Sequence, residues 1–247
     1  MWPIGADCVL QLRKPDMTHI IAPAKLTLSL KVIGVREDGF HLIDAEMVSL
    51  ELHDVLTITE GEMGMSVSGP FASGVPTDDS NLVTRALQLC GKTAHIRIEK
   101  NIPHGGGLGG GSSDAAAVLR WAGYSDYVAA SRLGADIPFC MHGGRAHVTG
   151  IGEILEPLPH VAREITLVVP PFGVSTPAVY KAFDSLHAQH DGPNDLEPAA
   201  IAVEPRLAQW RDRIREASGQ FPVLAGSGAT WWLDGAHPRI HEALSEA

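Results

Sequence analysis

Cysteine is scarce in this chain of 247 residues, and the few cysteines do not suggest a disulfide framework. Cys8, Cys90 and Cys140 lie far apart and form no C-x-x-C pair. An odd and sparse set is typical of reduced thiols in a cytoplasm. Cys90 and Cys140 sit in apolar runs and are predicted core residues. The twelve histidines show no H-E-x-x-H and no zinc-type spacing, so the pattern does not favour a structural metal site.

Long apolar runs and basic stripes are also missing. No stretch approaches the ~18 apolar residues that predict a membrane-spanning helix. Residues 1–16 lack the layout of a signal peptide, and we interpret them as a possible extension upstream of a natural start at Met17. The formal net charge of −10 argues against a nucleic-acid polymer as partner but not against a bound nucleotide. We expect a cytoplasmic protein.

What is present is the composition of a globular protein, with 45% hydrophobic and 19% charged residues. Apolar and polar residues alternate from Lys25 to Val32, which predicts a strand with one buried face. That face is expected to carry Leu26, Leu28, Leu30 and Val32. A turn at Glu37–Gly39 and an apolar stretch over Val48–Ile58 indicate an antiparallel start.

A mixed series of helices and strands follows. Asp79 and Ser80 are candidate N-caps of a helix that ends at Gly91. Further predicted elements are helices at Tyr127–Leu133 and Arg206–Ala217 and strands at Ile96–Ile98, Ile165–Val169 and Phe221–Leu224. The character of the sequence changes near Gly150, so we predict an α+β protein with an N-terminal lobe at 17–150 and a C-terminal lobe at 151–247.

The strongest motif runs from Pro103 to Ala116, with six glycines in the seven positions Gly105–Gly111. Glycine lets the backbone adopt positive φ and approach a ligand closely. The run leads directly into a predicted helix, Ser113–Ala122, whose free N–H groups and positive dipole end attract anions. The segment therefore predicts a cradle for phosphate groups.

Other interpretations of this segment stay open on the residues alone. Gly105, Gly107 and Gly110 satisfy the dinucleotide pattern G-x-G-x-x-G, although the preceding strands look antiparallel. A plain turn is the third possibility. A P-loop is disfavoured because the sole Gly-Lys-Thr has Ala86 where that motif requires its first glycine.

Lys25 and Asp136 are candidate partners. Lys25 falls on the polar face of a predicted strand, and Asp136 lies just past a predicted helix end, between an alanine and an isoleucine. A buried carboxylate must be paired, and Lys25 would supply the charge. Taken singly, a strand lysine is more often solvated, and an aspartate at this place more often caps a turn.

Three segments together resemble the GHMP small-molecule kinases: Pro23–Lys25, the glycine–serine loop and Gly226–Ala229. Within that superfamily, Asp38–His41, Gly105–Ser113 and Leu133–Phe139 are similar to the branch that phosphorylates a cytidylated methylerythritol for isoprenoid synthesis. The resemblance covers nearly all of residues 21–235. It implies a two-lobe fold with an N-terminal lobe like ribosomal protein S5 domain 2 and a ferredoxin-like C-terminal lobe. It also implies a monomer or homodimer that acts on a small-molecule substrate with ATP and Mg²⁺.

The resemblance also implies roles for particular residues. Asp136 would take the proton from the substrate 2-hydroxyl as it attacks the γ-phosphate, and Lys25 would pair with Asp136. The implied ATP-binding residues are Pro103, Gly105, Gly106, Gly107, Leu108, Gly109, Gly110, Gly111, Ser112 and Ser113. The implied substrate-binding residues are Phe40, His41, Lys100, Tyr180, Gly226, Ser227 and Gly228. The metal ligands stay open, with both serines as candidates.

The chain departs from the family pattern at two site positions. Thr27 stands where an asparagine is usual, and Phe40 stands where a tyrosine is usual, which preserves stacking but loses a hydroxyl. One rival is a homoserine or mevalonate type of kinase, which would lack the Gly-Phe-His segment. Another rival is a catalytically silent nucleotide-binding protein. The absence of Lys25 or Asp136 would have indicated it, but both residues are present.

Overall fold

The structure is a computed structural model that describes residues 17–186, 191–240 and 244. The expected upstream extension at 1–16, and Cys8 within it, lie outside the described residues. The described residues form one mixed sheet and one antiparallel sheet, and helices pack against them. This arrangement confirms the predicted α+β class with two lobes.

The first sheet is built around one long central strand. Its strands are β1 (Met17–Val35), β2 (His41–Glu60), β3 (Gly64–Ser68), β4 (Ala94–Glu99), β5 (Arg145–Gly150) and β6 (Ile154–Pro157). β2 pairs antiparallel with β1 along its length, while its other edge pairs first with β5 and then with β4. β6 pairs with β5, so this sheet continues past the predicted lobe boundary at 150.

Bulges in β1 overturn the prediction that its four apolar residues share one face. The register with β2 shifts between Thr27 and Ser29, and a shift of one residue reverses which face the following side chains occupy. Leu26 therefore packs into a small cluster on one side of the sheet, whereas Leu30 packs into the main core on the other. Alternation in the sequence carries no signal of such a bulge.

The first lobe contains four described helices. α1 (Leu82–Cys90) precedes the glycine-rich region, and α2 (Gly110–Trp121), α3 (Tyr127–Ser131) and α4 (Ile137–His142) follow it. α2 begins three residues before the predicted start, because the last glycines already adopt helical geometry. The prediction of Asp79 or Ser80 as N-cap of α1 was wrong: Asn81 accepts a hydrogen bond from the Val83 N–H at 2.9 Å. α1 ends at Gly91 with φ 64°, as predicted.

The second lobe contains β7 (Ile165–Val168), β8 (Val223–Leu224), β9 (Trp231–Asp234), α5 (Thr176–Leu186), α6 (Glu197–Val203) and α7 (Arg206–Ser218). β9 lies between β7 and β8 and is antiparallel to both. A complete ferredoxin-like βαββαβ unit has four strands, and the described residues form three. None of the described helices is long and apolar enough to cross a membrane.

Buried residues form a main core and a smaller inter-lobe cluster. The inter-lobe cluster consists of Ala24, Leu26, Ile102, Leu108, Ala225 and Trp232. Its members come from β1, from the glycine-rich region and from the second lobe. The two lobes therefore share apolar contacts at the segment Gly105–Gly111, which we call the glycine loop. Cys140 is buried as predicted, while Cys90 is half-buried.

Removing the α1 cap should destabilise the protein. Asn81→Ala leaves the Val83 N–H without its acceptor, and we expect the free energy of unfolding to fall by about 1 kcal/mol. Urea denaturation measures this change. Ser80→Ala is the matched control, since Ser80 is exposed and does not cap the helix. An equal loss in both variants would contradict the assignment of Asn81.

Candidate active site

A cavity of about 800 Å³ lies where the two lobes meet. Its wall is formed by the glycine loop, the polar face of β1, the β1–β2 turn, the start of α4, α5 and the 226–227 loop. The predicted site residues that line it are Lys25, Phe40, His41, Lys100, Pro103, Gly105–Gly111, Ser112, Asp136, Tyr180, Gly226 and Ser227. Ser113 and Gly228 do not line it.

The glycine loop is held in place by backbone hydrogen bonds on both sides. The Lys25 N–H donates to the Leu108 carbonyl at 3.0 Å, which fixes the loop to β1. The Ala229 and Thr230 N–H groups donate to the carbonyls of Gly105 and Gly106. The loop then enters α2 at Gly109, so the free N–H groups of the first helical turn adjoin the cavity.

Two glycines of the loop have no room for a side chain. Gly109 has φ +67°, and a Cβ there would lie 2.7 Å from Cγ of Lys25. At Gly107, with φ +75°, a Cβ would overlap the carbonyl oxygen of Ala225. These positions need glycine both for the backbone conformation and for close approach. Gly111 differs, because a Cβ there would meet only Leu82 at 3.8 Å.

Lys25 and Asp136 form the predicted ion pair, with Nζ 3.2 Å from Oδ2. The lysine is held from several directions: its stem packs under Gly109, and its Nζ donates to Thr27 Oγ1 at 3.2 Å. The Lys25 side chain is 6% exposed, whereas that of Asp136 is 29% exposed. A fixed cation therefore holds a carboxylate that solvent and ligands can reach.

Thr27 and the start of α4 explain how this pair is positioned. Thr27 follows Lys25 by two residues in the strand, so both side chains leave the same face. Asp136 occupies the N-cap position of α4, although its side chain makes no cap hydrogen bond, and the carboxylate remains free to face Lys25. The sequence indicated neither α4 nor the contact between Lys25 and Thr27.

Lys100 is committed to a buried ionic cluster. Its Nζ lies 2.6 Å from Asp114 Oδ2 and also contacts Asp54, and the three side chains are at most 5% exposed. Asp54 Oδ1 accepts hydrogen bonds from the Asn101 and Ile102 N–H groups. Lys100 borders the cavity, but its charge is directed to these two aspartates, which favours a role in positioning the loop over direct reading of a base.

Burial raises the pKa of Asp114 to about 7, with Lys100 opposing the shift and Asp54 adding to it. Two carboxylates share one ammonium in this cluster, and Asp114 Oδ1 has no hydrogen-bond partner among the described residues. A proton on Asp114 therefore balances the charge of the cluster below about pH 7.

The two serines at the start of α2 have different environments. Ser113 is fully buried, and its hydroxyl donates to the Pro23 carbonyl at 2.6 Å. The expectation that Ser113 offers a hydroxyl to ATP or to a metal is therefore not met, because that hydroxyl ties α2 to β1. Ser112 lines the cavity and keeps its place as a candidate.

Another part of the cavity wall is aromatic. The His41 ring lies 4.6 Å from the Tyr180 ring, and Phe40, which is 54% exposed, also lines the cavity. Burial raises the pKa of Tyr180 to about 12, so its hydroxyl stays protonated. Asp184 lies 2.7 Å from His41 Nε2. Sequence reasoning missed Asp184, although its place one helical turn after Tyr180 puts both on one face of α5.

The 226–228 loop closes the cavity from the second lobe. Ser227 Oγ lies 2.7 Å from Thr176 Oγ1, so the loop is fixed to the start of α5. Gly226 and Ser227 face the cavity, while the Gly228 N–H is used within the turn, donating to the Ala225 carbonyl. No motif in the sequence singles out Thr176.

Comparisons with known proteins identify the family. Residues 81–144, which include the glycine loop and Asp136, match the model of the GHMP kinases N terminal domain. The 4-diphosphocytidyl-2-C-methyl-D-erythritol kinase of Paracoccus denitrificans (strain Pd 1222) is 43% identical over 233 residues, covering 85% of this chain and 84% of that one. This chain belongs to the same kinase family.

Solved structures agree with that assignment. The crystal structure of a 4-(cytidine 5'-diphospho)-2C-methyl-D-erythritol kinase is similar over 93% of this chain and 94% of that one, with 31% identity and a TM-score of 0.69. A homoserine kinase from Cytophaga hutchinsonii is 13% identical with a TM-score of 0.57 over 96% of this chain and 91% of that one. The second likeness shows the shared GHMP fold alone.

The environments of Gly109 and Gly111 predict opposite effects for two similar substitutions in this kinase. Gly109→Ala forces a Cβ into the Lys25 stem at positive φ, and we expect a loss of about 2 kcal/mol in the free energy of unfolding. Gly111→Ala adds a methyl group inside α2 at ordinary contact distance from Leu82 and should leave stability unchanged or slightly raised. Urea denaturation of both variants distinguishes the positions, and equal losses would contradict the distinction.

The Asp114 carboxyl should make stability depend on pH. In the unfolded chain it titrates near 3.8, so between about pH 4 and about pH 7 the folded protein holds a proton that the unfolded chain has released. This contribution therefore makes stability fall as pH rises through that window. Asp114→Asn should flatten the dependence, as measured by urea denaturation at a series of pH values.

The exposed Asp212, changed to asparagine, is the control for this pH series. Its variant should keep the pH dependence of the natural chain. If the free energy of unfolding depended on pH equally in the Asp114→Asn variant and in the natural chain, the Asp114 carboxyl would not be the group responsible.

Proposed function

We propose that this chain transfers the γ-phosphate of ATP to the 2-hydroxyl of 4-diphosphocytidyl-2-C-methyl-D-erythritol. The proposal is carried by the Lys25–Asp136 pair, whose Nζ–Oδ2 distance is 3.2 Å, at the wall of the cavity that the glycine loop also lines. A phosphate cradle and a held carboxylate within one cavity are the parts that phosphoryl transfer to an alcohol needs.

ATP binds with its phosphates at the glycine loop and the first turn of α2. The free N–H groups of that turn donate to phosphate oxygens, and the helix dipole favours their negative charge. Because Gly107 and Gly109 carry no side chain, the loop backbone keeps its place against Ala225 and Lys25. This rigid placement orients the γ-phosphate before reaction.

Asp136 accepts the proton of the substrate hydroxyl as the hydroxyl oxygen attacks the γ-phosphorus. The bond between the γ-phosphorus and the oxygen that bridges it to the β-phosphorus breaks, and ADP leaves with the electron pair. Lys25 holds the Asp136 carboxylate in place and supplies positive charge beside the reacting oxygens. Thr27 fixes the direction of the lysine through its 3.2 Å contact with Nζ.

Mg²⁺ fits the donor set of the cavity. Mg²⁺ prefers oxygen ligands and is usually held by one or two carboxylates together with substrate phosphates. The Ser112 hydroxyl lines the cavity and would hold the ion together with the phosphate oxygens of ATP. Among the described residues, no group of three or more acidic, histidine or cysteine side chains forms a dedicated metal cage. The ion would neutralise charge on the transferred phosphoryl group.

The aromatic wall carries the substrate assignment. Phe40, His41 and Tyr180 offer the flat surfaces and the hydrogen-bonding edge that a pyrimidine requires. A homoserine or mevalonate substrate has no base for such a wall to contact. We place the reaction in the cytoplasm, in keeping with the free thiols of Cys90 and Cys140, and propose a monomer or homodimer.

ADP release with the cytidylated substrate tests the proposal. Asp136→Asn should lower kcat by about 10²–10⁴-fold, because the proton acceptor is lost while the shape is kept. Lys25→Met should lower kcat to a similar degree. Asp212→Asn, at an exposed position in α7, serves as the control and should retain the natural rate.

Two outcomes would contradict separate parts of the proposal. Turnover of homoserine or mevalonate without turnover of the cytidylated compound would refute the substrate. Near-full activity of Asp136→Asn would refute the role of the carboxylate while leaving the substrate assignment intact.

A further inference from the structure

His41 is held by one face of a helix from the other lobe. Tyr180, Phe183 and Asp184 follow one another at helical spacing in α5 and point to the same side. The His41 ring lies 4.6 Å from the Tyr180 ring and meets the Phe183 ring edge-on at 6.2 Å. Its Nε2 lies 2.7 Å from Asp184 Oδ1, and only 11% of its side chain is exposed.

The contact with Asp184 decides which nitrogen of the ring carries hydrogen. An ionised carboxylate only accepts hydrogen bonds, so Nε2 must be the protonated nitrogen, and in the neutral ring Nδ1 is left as an acceptor. No described residue forms a hydrogen bond with Nδ1. His41 also lines the cavity, so its ring borders the space that a ligand would occupy.

An acceptor at this place distinguishes two pyrimidines. The amino group at position 4 is the donor on the pairing edge of cytosine, whereas uracil carries an acceptor oxygen at the same position. In one fixed pose, Nδ1 accepts a hydrogen bond from cytosine and opposes the oxygen of uracil. A buried acceptor that faces another acceptor costs more than a missing contact.

We propose that Asp184 is a positioning residue that fixes the His41 tautomer and thereby selects a cytosine over a uracil base in the substrate. The inference rests on the proposed function for the identity of the substrate. Asp184 acts through His41. Its side chain is 54% exposed, against 11% for His41, so its replacement removes few packing contacts.

Two substrates and three variants test this role. Asp184→Ala should raise KM for the cytidylated substrate by about tenfold with kcat little changed, and should lower the preference over the uridylated analogue by about tenfold. Asp184→Asn should give an intermediate preference, since its amide oxygen still accepts from Nε2. Ser185→Ala, the next residue of α5 and exposed, should behave as the natural chain.

Nitrogen-15 NMR of the histidine rings reads the tautomer without turnover. His41 should show a protonated Nε2 and a bare Nδ1, with its signals assigned by their loss in His41→Gln. In Asp184→Ala the two nitrogens should move toward an averaged pair of shifts. The same measurement serves any variant whose activity is too low to assay.

Several results would overturn the inference. They are an unchanged base preference in Asp184→Ala, an equal loss in Ser185→Ala, a fall in kcat in place of a rise in KM, or a His41 ring that is protonated at Nδ1 in the natural chain. A natural chain that ignores both nucleotide substrates would refute the proposed function, while the tautomer measured by NMR would still decide the role of Asp184.

Discussion

Close approach between bare backbone and neighbouring groups is the constraint on which this site depends. Gly109 leaves space that the Lys25 stem fills, and Gly107 leaves space for the carbonyl of Ala225. The same glycine loop that we propose to bind phosphates through its N–H groups therefore also sets the position of the lysine and of the second lobe. A side chain at either glycine would separate parts that must act within one cavity.

Beneath the loop, the ionic cluster of Lys100, Asp54 and Asp114 supplies a second constraint. Asp54 in β2 holds the backbone of residues 101 and 102, and Asp114 belongs to α2, so Lys100 links the sheet to the helix that ends the loop. Burying three ionisable groups is expensive unless their charges are matched. The loop is therefore positioned by buried electrostatics as well as by shape.

The fold class could be predicted from the sequence, and most of the predicted site residues line one cavity. The glycine run predicts an anion cradle through local backbone chemistry alone. Lys25 and Asp136 are candidate partners by charge, and the resemblance to a known family implies their catalytic roles. The partners Asp54, Asp114 and Asp184 could not be found, because each gains its meaning from a contact between distant segments. The bulge after Thr27 was hidden for a related reason: it depends on how β1 registers with β2, which alternation does not reveal.

Local signals also failed where neighbouring residues offered the same chemistry. Asp79, Ser80 and Asn81 are all good N-cap residues, and only the path of the chain shows that Asn81 meets the Val83 N–H. Ser112 and Ser113 are likewise equivalent in sequence, yet one lines the cavity and the other is tied to Pro23. Helix phase, which is set by where α2 begins, separates them.

The inter-lobe cluster has a consequence for cooperativity. Leu26 and Leu108 from the first lobe share a buried apolar cluster with Ala225 and Trp232 from the second. Neither lobe can open without exposing this surface to water, and apolar exposure of that kind couples the two parts thermodynamically. The protein has two lobes in shape, but it should melt as a single unit, and a fragment cut near residue 150 would lose part of its own core.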